Sequence, residues 1–170
     1  MQALQRVIAT LTLIFIATAG VRAAGTMTRV DSYGDWTLLT DSQSPHLFCF
    51  VTSEPKTSDP KEASRQAPRA FVSAWPKDGI KGEVSFRMGF RIRKNSEGTA
   101  TVSPSGFRLF GANDRAFVTD STKELKLLEA MRKGSTMSVS ISPERGANVT
   151  DTYSLNGVGI ALQKLQEMCF

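Results

Sequence analysis

The sequence predicts a mostly-β fold: two packed antiparallel sheets, a sandwich, with two short helices. Three observations carry that expectation. Residues 84–92 alternate strictly between apolar and polar or small side chains, short β-rich runs recur between turn signals, and helical periodicity is confined to two segments.

The chain opens on a segment outside the fold. Arg6 gives a basic start, residues 7–19 are an uncharged apolar run, and Val21-Arg22-Ala23 places small residues where a signal peptidase reads. The run is shorter than the roughly 20 residues that span a bilayer, which favours a cleaved signal over an anchor. Removing residues 1–23 leaves 147 of the 170, the size of one domain. Residues 24–33 are expected as a flexible mature N-terminus and 34–170 as a single domain. No other segment is apolar enough to cross a membrane, so the mature chain is expected in the periplasm, at the outer surface or secreted. Arg6 and Arg22 leave with the signal, so 19 basic side chains face 16 acidic ones, a mild balance that argues against nucleic acid as a partner.

From Gly34 onward strands and turns alternate. Residues 35–40 (DWTLLT) and 47–52 (LFCFVT) are β-rich runs separated by Asp-Ser-Gln-Ser-Pro, a turn composition. Residues 52–69 turn polar, and Pro55, Pro60 and Pro68 mark a surface loop rather than a central strand. A strand at 70–75 ends at Pro76-Lys77-Asp78-Gly79, a strong turn signal. In 83–92 the apolar set is Val84, Phe86, Met88, Phe90 and Ile92, with Ser85, Arg87, Gly89 and Arg91 between, which predicts one buried and one wetted face. After a turn at Asn95-Ser96-Glu97-Gly98, strands are expected at 100–102, 106–110 and 116–119.

Two helices break the strand pattern. Ser121-Thr122-Lys123-Glu124 has capping-box spacing, Leu125, Leu128 and Met131 follow at helical spacing, and Gly134 supplies the stop. A last pair of strands is expected at 137–142 and 149–154. The C-terminal stretch then sets Val158, Ala161, Leu162, Leu165 and Cys169 on one helical face. Cys49 and Cys169 are the only cysteines, and in an oxidising compartment they read as one disulfide between an early strand and that helix.

The chain lacks the residue kit of the common enzymes. Its one histidine, His46, follows Pro45 in a turn with no nucleophile motif beside it. No metal-ligand spacing, GxGxxG or phosphate loop is present, so neither metal nor cofactor is expected. Asp78, Asp114 and Asp120 are the nearest loop carboxylates for a hydrolase, though no spacing singles them out. The most distinctive charge feature is Arg87, Arg91 and Arg93 with Lys94. The three arginines fall on one face of the expected strand, either as a solvated face or as a basic stripe for an acidic lipid, polysaccharide or protein.

Five stretches carry a resemblance: Gly34-Asp35-Trp36, Trp75-Pro76-Lys77-Asp78-Gly79, Asp114-Arg115-Ala116-Phe117-Val118, the run from Glu124-Leu125-Lys126-Leu127-Leu128 to Lys133-Gly134, and Asp151-Thr152-Tyr153-Ser154-Leu155-Asn156-Gly157. Together, in order and spacing, they resemble the invasion-associated locus B family over nearly all of the mature chain. The resemblance implies an exported Gram-negative protein with an immunoglobulin-like β-sandwich, no established catalytic residues, and an association with host-cell invasion. Many members carry a cysteine shortly after the tryptophan and another pair before the mid-chain helix. Here Thr40 stands at the first position, and 118–122 holds none.

The expectation is therefore an exported non-enzymatic binding or envelope-accessory module that contributes to host-cell interaction. Its partner is an unidentified envelope or host component, with an acidic one the sharper expectation. The alternatives are a hydrolase of cell-envelope polymers using the loop carboxylates, or a structural subunit assembling by strand addition.

Overall fold

Alternating burial governs most strands of the computed structural model, which describes residues 26–61 and 65–170. In Trp36–Asp41 and Val149–Ser154 every second side chain is buried, because a period of two sets one face of each strand against the core. The strands are β1 Met27–Tyr33, β2 Trp36–Asp41, β3 Cys49–Ser53, β4 Thr57–Asp59, β5 Arg69–Trp75, β6 Ile80–Arg87, β7 Glu97–Val102, β8 Ser105–Ala112, β9 Arg115–Val118, β10 Thr136–Ile141 and β11 Val149–Ser154. Helix α1, Ser121–Lys133, lies between β9 and β10, and α2, Val158–Cys169, follows β11. The expected signal segment, 1–23, lies outside the described residues.

The strands form one antiparallel ladder in the order β1-β2-β3-β5-β6-β9-β8-β7-β10-β11-β4. This open sheet folds over so that strands near its two ends face each other across the core. Trp36 on β2, fully buried, donates its indole N–H to the Ser154 carbonyl on β11 (3.0 Å), and the rings of Phe86 on β6 and Tyr153 on β11 lie 6.3 Å apart. Lys56 stitches the two ends. Its backbone N–H donates to the Thr152 carbonyl (2.7 Å), and its ammonium meets Asp35 (2.5 Å), holding that carboxyl below its usual range. The turns at Gly34 and Gly157 pack together, both with positive φ. A Cβ on Gly157 would lie 2.1 Å from the Tyr33 carbonyl oxygen, so glycine is required there.

Several expectations are corrected. Residues 27–33 are not a flexible lead-in but form β1, paired with β2 from Met27↔Asp41 to Tyr33↔Trp36. As an edge strand with mostly exposed side chains, β1 has no alternating apolar signature and is held by its ladder. The polar stretch 52–69 contains β4, which pairs with β11 and is itself the end strand of the ladder. The expected strand 83–92 stops at Arg87. Beyond it the Met88 N–H donates to the Asp114 carbonyl (2.8 Å) and the Arg93 N–H to the Ser142 carbonyl (3.0 Å), so the chain crosses from β9 to the end of β10. Met88 and Ile92 stay buried, so the alternation survives although the ladder partner changes.

The 52–69 stretch also carries Arg65 into the interior. Its guanidinium meets Asp151 on β11 through two N–H···O contacts of 2.6 and 2.5 Å, with the two side chains only 3% and 0% exposed. Arg65 Nε donates to the Met88 carbonyl, Ser58 donates to the same carboxylate (2.6 Å), and the Phe90 ring centroid lies 4.9 Å from the guanidinium. A buried charge needs such complete pairing.

Helix α1 is capped by Asp120, which accepts from the Lys123 N–H at 2.8 Å, in place of the expected Ser121–Glu124 box. Glu124 instead accepts the Val84 N–H of β6 at 2.7 Å and ties the helix to the sheet. The buried residues of α1 are Leu127 and Met131, while Leu125 points into solvent. Helix α2 buries the five residues its spacing predicts and packs on β1, β2, β3 and β5. Cys169 is bonded to Cys49 with Cα atoms 6.3 Å apart, across a separation of 120 residues. His46 lies against the same helix end, its Nδ1 2.9 Å from the Met168 carbonyl oxygen.

Two outcomes follow. Cys169→Ser, or reduction, is expected to lower stability by about 2–5 kcal/mol and to loosen α2 first, measured by urea unfolding and amide exchange. The second concerns Glu124, whose carboxyl burial raises above its usual value despite the Val84 N–H. A raised folded-state value means ionised Glu124 opposes folding at neutral pH, and that penalty is released as pH falls through the folded value. Glu124→Gln keeps an acceptor and should match or exceed wild-type stability at neutral pH, with any advantage lost in acid. Glu124→Ala orphans the Val84 N–H and should cost about 1–3 kcal/mol.

Candidate functional site

On β3, β5, β6 and β9 the two-residue period points alternate side chains outward, and strand register lines them up in rows. One row runs Thr52, Phe71, Ser85, Phe117 and Phe110 from β3 to β8. Beside it lies Phe50, Ser73 and Glu83. On the other side Arg69, Arg87 and Arg115 stand directly opposite one another on β5, β6 and β9.

Small serines between large rings leave a trough. A groove of about 450 Å³ passes over Ser73 and Ser85, lined by Phe48, Phe50, Phe71, Trp75, Phe117 and Arg115, with Glu83 and Met27 also in contact. Phe48 stacks on Trp75 (centroids 5.0 Å apart) and tilts against Phe50 (5.4 Å), and Phe50 meets Phe71 at 5.8 Å. The five rings lining the groove are half-buried; four brace one another, and Phe117 stacks on Phe110 beside the groove (centroids 5.4 Å apart). Ser73 and Ser85 are 6% and 3% exposed, and neither hydroxyl takes part in a hydrogen bond among the described residues.

The arginine row is only partly compensated. Arg69 pairs with Glu54, Arg87 Nε donates to the Ala67 carbonyl (3.0 Å), and the Arg115 guanidinium lies 5.2 Å from the Phe71 ring centroid. Among the described residues neither Arg87 nor Arg115 forms an ion pair with a carboxylate. Like charges directly opposite on a ladder work against the sheet. A second, adjoining groove of about 390 Å³ brings Arg29 to the same face, beside Arg69 and Arg87.

Of the basic residues marked in the sequence, Arg87 stands in this row. Arg91 approaches Glu144 at 3.9 Å, Arg93 donates to the Gly146 carbonyl at 3.4 Å, and exposed Lys94 follows them on the crossing segment beyond the sheet. Arg87 is thus grouped with Arg69 and Arg115, which only cross-strand register brings together. The sequence reading missed both, and it also missed the groove, whose rings come from three separate segments.

The carboxylates considered for hydrolysis sit on three different turns. Asp78 ends the short 3-10 turn Pro76–Asp78, Asp114 lies in the β8–β9 turn with its carbonyl taken by Met88, and Asp120 caps α1. Tyr153 holds a buried hydroxyl without a partner among the described residues, and burial pushes its pKa above the usual range. No group of three or more His, Cys, Asp or Glu among the described residues is placed to hold a metal ion. No described helix is long and apolar enough to cross a membrane.

Comparison with known proteins gives a solved structural neighbour. No curated protein matches the chain. The crystal structure of invasion associated protein b from Bartonella henselae is similar with a TM-score of 0.55, covering 79% of this chain and 94% of that one at 17% identity. At that identity the likeness shows the fold, a β-sandwich shared by both chains. The sequence itself matches the family described as Invasion associated locus B (IalB) protein over residues 36–166, from the start of β2 to the last turns of α2. The chain belongs to the invasion-associated locus B family.

Proposed function

We propose that this protein is a non-catalytic, extracytoplasmic binding module of the cell envelope that captures an acidic envelope or host component on its outward sheet face. The observation that supports this best is the register-aligned row Arg69, Arg87 and Arg115, in which two members have no carboxylate partner among the described residues. A row that opposes sheet pairing on its own is offset when an anion bridges its members. The family, the single disulfide and the signal-like N-terminal sequence support an exported, oxidising location. The three candidate carboxylates, divided among separate turns, give hydrolysis no comparable support. A contribution to host-cell interaction belongs to the same proposal, with the acidic component as the point of contact.

Binding of the purified mature chain to immobilised polyanions and to envelope fractions, followed across a salt series, tests the reading. Wild-type binding should weaken as salt rises. The pair Arg87→Glu/Arg115→Glu should lose about ten- to a hundredfold in affinity, the range for removing charge-assisted contacts. Arg91→Glu/Arg93→Glu should bind close to wild type. Equal losses in both pairs, or none in either, would remove the sheet face from the account.

A further inference from the structure

We infer that the aromatic groove takes the sugar rings of an acidic polysaccharide, with the adjacent arginines receiving its uronate carboxylates; this rests on the binding-module reading and names its ligand class. A pyranose ring is amphipathic in a way that few ligands are. Its C–H faces pack on flat aromatic surfaces while its edge of hydroxyls demands donors and acceptors. The groove offers both. Phe48, Phe50, Phe71 and Trp75 supply aromatic surface, and the same groove is lined by two serines whose hydroxyls have no protein partner among the described residues and by Glu83.

The charge sits beside the rings. Arg115 lines the groove itself, and Arg87 and Arg69 follow on the neighbouring strands. Adjacent strands lie about 4.8 Å apart, close to the length of one sugar unit in an extended chain. A carboxylated polysaccharide laid across the strands therefore brings its rings to the aromatics and its carboxylates within reach of the arginine row.

Two other anionic partners fit less well. A membrane surface is met by apolar side chains that protrude, whereas these rings are half-buried and braced against one another along a concavity. An acidic peptide adds to a free strand edge, yet the floor here is the face of a sheet whose strands β3, β5, β6 and β9 are paired with neighbours.

The chain has two tryptophans, of which Trp36 is fully buried and Trp75 lines the groove, so a fluorescence change reports the site. The probes are tetragalacturonate, its methyl ester and phosphatidylglycerol vesicles. Tetragalacturonate should shift the emission saturably and bind at least tenfold more tightly than the ester, and Arg115→Gln should abolish that preference. Trp75→Ala, folded by circular dichroism and followed by calorimetry, should weaken acid and ester alike by about tenfold or more. Trp75→Phe should retain binding while losing the optical signal. Absent tetragalacturonate binding, or binding indifferent to Trp75→Ala, overturns the saccharide assignment. If Arg87→Glu/Arg115→Glu still abolishes polyanion binding in that case, the acidic-partner reading stands without it. Vesicle binding that requires Trp75 would assign the groove to lipid instead.

Discussion

A carboxylate with no solvent exposure must find a partner, and Asp151 draws Arg65 from the loop that runs from β4, beside β11, to β5 on the other half of the sheet. Much of the molecule is arranged around that contact. The loop is led in by β4, whose Ser58 shares the carboxylate, and Arg65 also binds the carbonyl of Met88 where β6 ends. Residues 66 and 67 are thereby laid beside the crossing segment. The Gln66 N–H donates to the Gly89 carbonyl (3.2 Å), and the Ala67 carbonyl receives Arg87 Nε. An interior ion pair thus sets the orientation of an arginine on the outer face, and β5 starts at Arg69 directly opposite it.

The outer face shows what the fold does with charge when no such constraint acts. On the β7–β8 hairpin, Arg108 is paired with Glu97, which raises the arginine's pKa and lowers the glutamate's, an ordinary solution for exposed ladder positions. On β5, β6 and β9 arginine faces arginine, next to a trough of aromatic rings. The same sheet therefore carries one self-satisfied patch and one in which, among the described residues, Arg69 alone of three facing arginines has a carboxylate partner. Two stretches that carried the family resemblance, 75–79 and 114–118, contribute Trp75, Arg115 and Phe117 to the second patch.

Local periodicity was readable in the sequence, and what depends on pairing between distant segments was not. The five buried positions of α2 and the Cys49–Cys169 bond follow from helical spacing and cysteine number. The alternation from Val84 to Ile92 correctly marks the inward side chains. It cannot show that hydrogen bonding leaves the sheet at Arg87, because a crossing chain can alternate as a strand does. Strand β1 escaped notice since its edge position leaves its side chains exposed, and β4 since three polar residues between prolines look like loop. Arg65 looked like one more charge in a polar stretch, and its burial depends on a partner 86 residues away. The arginine row is a property of register, which no single strand encodes.

The buried Arg65–Asp151 pair organises the loop and the sheet halves it joins. A double-mutant cycle on folding stability tests it most directly. Arg65→Met and Asp151→Leu, each alone, leave an uncompensated buried charge and should cost about 3–5 kcal/mol. The double variant removes both charges and should cost no more than either single, which corresponds to a coupling of about 3–5 kcal/mol. Single costs below about 1 kcal/mol, as for exposed pairs, or strictly additive effects, would contradict it.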